Sequence, residues 1–239
     1  MKPYKILCLG CCLAVAGCGG DKAPGRNYDK EIDRLVSRMT LAEKIGQMNQ
    51  VSGAEDPTGV LKQYSSLEGR VREGKIGTVL NVTGAATTRE LQRIAVEETR
   101  LGIPLIFALD VIHGYKTISP VPLAESCSWD METIEASARM AAVEASAAGL
   151  QWTFAPMVDI ARDPRWGRVM EGAGEDPYLG SLIARARVRG FQGDDLAAAN
   201  TILACAKHFA GYGASEGGRD YNTVDLSDQR LRELYLPPF

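Results

Sequence analysis

From Tyr28 onward the hydrophobic positions switch between two periods. Ile32, Leu35, Val36 and Met39 recur at helical spacing, and Thr40-Leu-Ala-Glu43 has the form of a capping box that opens a second helix through Met48. Residues 76–82 (IGTVLNV) form a continuous apolar run too short for a helix, which predicts a buried strand. A helix is predicted over 88–100, a second strand over 105–109 (LIFAL) and an alanine-rich helix over 131–148. Residues 152–156 lead into a third strand, a helix follows over 178–188, and 202–206 (ILACA) read as a fourth strand. Ser227-Asp228 opens a last helix that runs to Pro237-Pro238-Phe239.

Strands separated by helices of this length imply βαβ units and a parallel sheet, so the fold class is α/β. Ionisable residues then fall just past the strand ends: Asp110 after the second strand, Asp159 and Arg162 after the third, Lys207 and His208 after the fourth. That is the face on which a (β/α)8 barrel carries its active site. Only about four strand–helix units are read where a closed barrel has eight. The pattern therefore allows either an open, doubly wound sheet or half of a barrel.

The segment before Tyr28 has a different character. Lys2 and Lys5 form a basic start, and 6–17 is an apolar run too short to span a bilayer, as in a secretory signal. Val15-Ala16-Gly17-Cys18 resembles a bacterial lipobox, which makes Cys18 the expected lipidation site and the mature protein an exported, membrane-anchored lipoprotein facing the periplasm. Cleavage after Ala14-Val15-Ala16, itself an A-x-A site, gives the alternative of a soluble periplasmic protein. Residues 18–27 read as a short Gly/Pro/polar tether. Of the 6 cysteines, only Cys127 and Cys205 remain in the mature domain, too few for a disulfide framework, and Cys205 sits in an apolar run as a small hydrophobe.

Composition narrows the chemistry. The 239 residues are 45% hydrophobic and 24% charged, an ordinary globular balance. With 27 basic and 30 acidic residues and no Lys/Arg block, nucleic acid is not an expected partner. Two histidines, His113 and His208, with no HExxH and no paired CxxC, give no dedicated metal site, and no cofactor is implied. Residues 162–176 (RDPRWGRVMEGAGED) and 207–222 (KHFAGYGASEGGRDYN) concentrate charge, aromatic rings and glycine directly after strand-like runs, which points to a small polar substrate.

The order of MTLAEKIGQM (39–48), ALDVIHG (108–114), FAPMVDIARDPRWGRVMEGAGEDP (154–177), KHFAGYG (207–213) and GRDYNTVDLS (218–227) closely resembles glycoside hydrolase family 3, in its β-glucosidase-like branch. The resemblance covers essentially the whole mature chain. It implies the N-terminal half of a (β/α)8 TIM-type barrel, truncated, with residues 1–17 a lipoprotein signal peptide, 18–27 a tether and 28–239 part of the family's barrel domain. It also implies retaining removal of terminal β-glucosyl residues from β-glucosides or short β-linked oligosaccharides.

Carried over position by position, the resemblance makes Asp110, Arg168, Lys207 and His208 ligands of the terminal sugar. Asp110 would accept hydroxyl hydrogen bonds, Arg168 would offer a rigid donor fork and Lys207 a short ammonium. Competing readings are a strand-end helix cap for Asp110 and, for the other three, an internal ion-pair network with Asp159, Asp163 or Glu171. His113 is expected to orient the loop around Asp110, Trp166 either to stack on sugar or to pack its loop, and Asp220 to support the centre. In the family's N-acetylglucosaminidase branch a histidine lies in an Asp-Ser-His loop; the corresponding stretch here reads GYGASEGGRDYN, which speaks against an amino-sugar hydrolase.

A retaining glycosidase needs a nucleophile and an acid/base carboxylate about 5–5.5 Å apart. In the family these come from a later strand and a following domain, and nothing in this sequence matches them. No catalytic residue is therefore expected in this chain, and its partners would include a C-terminal part of the same polypeptide. Alternatives are a non-catalytic sugar-binding lipoprotein and a β-xylosidase-type relative.

Overall fold

The computed structural model describes residues 28–53 and 66–239, so Cys18, the signal segment and the tether lie outside the described residues. The described residues divide into two units, 28–38 and 39–239. In the first, the spacing of Ile32, Leu35 and Val36 gives helix α1 (Asp29–Arg38). Asp29 and Glu31 in its first turn and Arg38 in its last complement the helix dipole.

The second unit is built on a parallel sheet of four short strands: β1 (Gln50–Ser52), β2 (Thr78–Leu80), β3 (Ile106–Leu109) and β4 (Trp152–Thr153). Their spatial order is their sequence order, β1-β2-β3-β4, and every pairing is parallel. A doubly wound sheet must reverse direction at a switch point; this one does not. It advances one strand at a time, as a (β/α)8 barrel does. Val79 and Phe107, paired across β2 and β3, are 0% and 1% exposed, because helices cover one face of the strands and neighbouring side chains fill the other.

The helices of this unit are α2 (Leu41–Gln47) before β1, α3 (Leu67–Arg72), α4 (Ala85–Glu97), α5 (Pro122–Ser126) and α6 (Met131–Ala147) between strands, and α7 (Pro177–Gln192) after β4. The capping box at Thr40 and Glu43 forms as the sequence implies. Asp130 and Asp176 cap α6 and α7 by accepting from the Thr133 and Leu179 amides. Ala138, Ala141, Ala142 and Ala145 give α6 a flat buried side. Gly190 of α7 fits against that helix where a Cβ would stand 2.3 Å from the Glu135 carbonyl, so only glycine allows the approach. The last helix begins at Asp228, capped by Ser227, and passes into one π turn at Leu231–Tyr235.

Two strand expectations shift. β1 was not anticipated, since Gln50-Val51-Ser52 exposes its ends and buries only Val51, leaving no apolar run to read. The segment 202–207 runs parallel beside β4 but pairs through isolated bridges, Trp152 with Leu203 and Met157 with Lys207. Its amides at Leu203, Cys205 and Lys207 donate to Gln151, Ala155 and Pro156, and this ladder carries Lys207 to the same end of the sheet as Asp110.

Candidate functional site

Asp110 is the first residue past β3, and Lys207 ends the bridged segment beyond β4. The Lys207 ammonium donates to Asp110 Oδ1 at 2.6 Å. Lys207 is mostly covered, at 11% side-chain exposure, while Asp110 is half open at 51%. Asp110 caps no helix, because α5 starts at Pro122 with Val121 as its N-cap. Its loop is secured further on: the His113 ring nitrogen Nδ1 lies 2.9 Å from the Ser119 carbonyl.

Arg168 closes the RDPRWGR loop and enters the 3-10 turn Val169–Glu171. Its Nε and Nη2 meet the two Glu171 oxygens at 2.7 Å each, a fork-on-fork pair. This pair holds the Glu171 carboxyl below the usual carboxylate range against the opposing effect of its partial burial, and raises the Arg168 guanidinium. The remaining terminal nitrogen, Nη1, lies 3.3 Å from His208 Nε2, and the guanidinium stands 5.5 Å over the Tyr212 ring. The Lys207 charge lowers Glu171 in the same direction.

His208 is anchored from below by Asp159, whose side chain is 1% exposed. Asp159 Oδ2 accepts from the His208 backbone amide at 2.9 Å and lies 2.8 Å from ring Nδ1. Burial pushes the Asp159 carboxyl up, against the pull of its bonds to His208 and of the Arg168 charge. The Lys207–His208 peptide bond is cis.

An aromatic and acidic layer backs this group. Trp166 is 1% exposed, meets Tyr212 edge-on at 5.1 Å and donates Nε1–H to Asp220 at 3.0 Å. Trp166 therefore packs its loop and offers no open face for stacking. Tyr212 also donates to Asp220 and meets His208 edge-on at 4.8 Å. Desolvation and the bond to Asp220 push the Tyr212 phenol up to about 12, while the Tyr212 and Trp166 bonds lower Asp220.

The structure thus brings the sequence-derived site residues together as two linked pairs, Asp110 with Lys207 and Arg168 with His208, joined through the adjacent residues Lys207 and His208. Of the carboxylates considered as internal partners, Glu171 and Asp159 take part, whereas Asp163 instead binds its neighbour Arg165. The ion-pair network leaves Asp110 half open to solvent at the strand ends. Sequence reading did not find Tyr212, and it named Asp159 as one of three possible ion-pair partners without singling out its bond to His208. That bond spans 49 residues and has no local signal. Among the described residues no group of three His, Cys, Asp or Glu is placed to hold a metal ion.

The arrangement offers an ammonium, a guanidinium with one edge already fixed, an imidazole and a solvent-facing carboxylate on one face of a barrel sheet. Such a set has the donors and the acceptor that a polyhydroxylated ligand would require. Residues 40–239 match the family model described as the glycosyl hydrolase family 3 N-terminal domain. A periplasmic beta-glucosidase of Salmonella typhimurium is 40% identical over 212 residues, covering 88% of this chain and 27% of the relative. A beta-xylosidase of Formosa agariphila is 35% identical over 220 residues, covering 89% and 26%. The crystal structure of a Listeria innocua beta-glucosidase with isofagomine superposes with a TM-score of 0.80 at 45% identity, over 88% of this chain and 30% of that one. The chain spans between about a quarter and a third of the length of these relatives. On the match over residues 40–239, with strand order and strand-end chemistry in agreement, the chain belongs to glycosyl hydrolase family 3, of which it carries the N-terminal domain region.

Proposed function

We propose that this region forms the sugar-gripping part of a retaining β-glucosidase, with Asp110, Arg168, Lys207 and His208 holding the terminal glucosyl residue. The observation that carries the reading is the convergence of these four groups at one end of the sheet, with Lys207 against Asp110 at 2.6 Å and Arg168 against His208 at 3.3 Å. The carboxylates here are engaged by neighbouring donors, which suits gripping rather than attack. The nucleophile and acid/base of the proposed reaction are assigned to the parts of the enzyme that follow this region in the family. They would form and then hydrolyse a covalent glycosyl intermediate. Related structures have been solved with glucose and with laminaribiose, which supports β-linked glucose as the ligand.

The native gene product is expected to hydrolyse p-nitrophenyl β-glucoside. Asp110→Asn and Lys207→Met are expected to lower kcat/KM about 100-fold or more, since each leaves a buried or ligand-facing partner unpaired. Turnover of the β-xyloside but not the β-glucoside would favour the xylosidase reading that the 35% identical relative supports. Glucose binding by calorimetry without any turnover would favour a non-catalytic sugar-binding protein.

The same proposal places the protein outside the cytoplasm. Two relatives carry the description periplasmic, and Val15-Ala16-Gly17-Cys18 supplies the lipobox-like sequence. Labelled palmitate is expected to enter the wild-type protein and not Cys18→Ser. An unlabelled, soluble periplasmic wild type would instead support cleavage after Ala16.

A further inference from the structure

We propose that Asp159 is the positioning residue of this site, fixing the His208 imidazole in one tautomer so that its bare Nε2 receives Arg168. The inference rests on the sugar-gripping role given above to Arg168 and His208, and adds to it the group that sets their relative placement.

The argument is one of donors and acceptors. A guanidinium has N–H groups and no acceptor. Arg168 Nη1 at 3.3 Å can therefore bond His208 Nε2 only if that nitrogen carries a lone pair. The imidazole proton then resides on Nδ1, and Nδ1 faces Asp159 Oδ2 at 2.8 Å, an acceptor in the right place. The other arrangements conflict. A proton on Nε2 alone would set N–H against N–H at Arg168 and leave Nδ1 and the carboxylate lone pair to lone pair. Protonation of both nitrogens would press a second cation onto the guanidinium.

Asp159 can impose this choice because it cannot easily move. Its side chain is 1% exposed, and the same oxygen also accepts the His208 backbone amide at 2.9 Å, so ring and main chain are tied to one atom. The Asp159 carbonyl also lies 3.2 Å from where a Cβ at Gly172 would be, so the backbone of the following turn closes over it. On the far side, Glu171 fixes two nitrogens of Arg168. The chain Asp159–His208–Arg168–Glu171 is held at both ends by carboxylates. The unused N–H groups on the Arg168 terminal nitrogens are thereby aimed rather than free to rotate. Aligning a neutral imidazole through a buried carboxylate is a general device for setting which ring nitrogen presents the lone pair.

The test combines a spectrum with a binding measurement on the native gene product. With ¹⁵N-labelled histidine, the difference between wild type and His208→Gln assigns the His208 ring signals, whose shifts separate a protonated from a bare nitrogen. Nδ1 is expected to be protonated and Nε2 bare in the wild type. Asp159→Asn, which keeps the shape and removes the charge, and Asp159→Ala, which removes the acceptor, are expected to weaken this tautomer preference. Both should raise the Kd for glucose by about 10-fold or more.

A wild-type spectrum with the proton on Nε2 overturns the proposal and needs no variant to fold. Unchanged glucose affinity in folded Asp159→Asn also overturns it. If the wild type shows the expected tautomer and Asp159→Asn disturbs it, yet the wild type binds no β-glucoside or glucose, the sugar-gripping reading fails and the tautomer assignment stands.

Discussion

Arg187 of α7 and Glu125 of α5 meet at 2.6 Å with side chains only 5% and 8% exposed. Burial lowers the Arg187 guanidinium pKa against the pull of Glu125. The pair is surrounded by further bonds: Ser137 donates to the second Glu125 oxygen at 2.7 Å, and Arg187 also donates to the carbonyl of Ile112, two residues past Asp110. Two buried charges cost much desolvation, and this outlay is offset only while both are present. Arg187→Met is therefore expected to destabilise the protein by about 3–5 kcal/mol. The double variant Arg187→Met with Glu125→Leu should recover a large part of that loss, as read from urea unfolding midpoints at constant m. A double variant no more stable than the single one would show that the Ile112 carbonyl and Ser137, not the unpaired charge, dominate. Neither residue stood out in the sequence, because their partnership spans 62 residues and joins two helices. Asp110, Lys207 and His208 were legible for the opposite reason: each follows an apolar run directly, so the end of a strand could be read from the chain alone.

At the scale of elements, the legible features are those whose signal is local. The capping box ahead of α2 requires only Thr40 and Glu43, and both halves of it form, with Glu43 accepting from the Thr40 amide at 2.8 Å. What the sequence did not disclose is that Arg100, 57 residues away, also grips Glu43, at 2.9 and 2.5 Å. The Arg100 bonds first, and the Thr40 amide next, lower the Glu43 carboxyl to about 2. A depressed folded-state pKa stabilises the fold above the ordinary carboxylate value and loses that contribution as pH falls through the folded value. The contribution of Glu43 should therefore be complete above pH 4.5 and disappear between about 4.5 and 2. Amide exchange in α2 is expected to be slower in wild type than in Glu43→Gln at pH 6, with the difference shrinking as pH approaches 2. A difference independent of pH would mean that the charge on Glu43 does not matter to the cap. β1, α3 and α5 escaped prediction because each is six residues or shorter and none lies in a continuous apolar run like those that marked β2 and β3.

Across the whole molecule, the consecutive all-parallel order settled between the two architectures that the strand–helix alternation left open, since periodicity identifies strands but not their neighbours. That order also leaves two sheet edges in the described residues, β1 on one side and the bridged segment 202–207 on the other. Edges with unpaired amides and carbonyls template association unless they are charged, bulged or covered. Apolar side chains lie near the second edge: Phe209, directly after the site, is 81% exposed and stacks edge-on with Phe239 at 5.3 Å. Parallel pairing is slow to form because each contact must close a long loop first, which lengthens the time those edges are open during folding. Residues 28–239 expressed by themselves are accordingly expected to associate and to show no glucosidase turnover. Sedimentation velocity should reveal species larger than a monomer, and Phe209→Ser should reduce them if the exposed ring contributes. A monodisperse monomer with one cooperative thermal transition would contradict this, and would mean that the packing of α2 to α7 stabilises the open sheet without help from its edges.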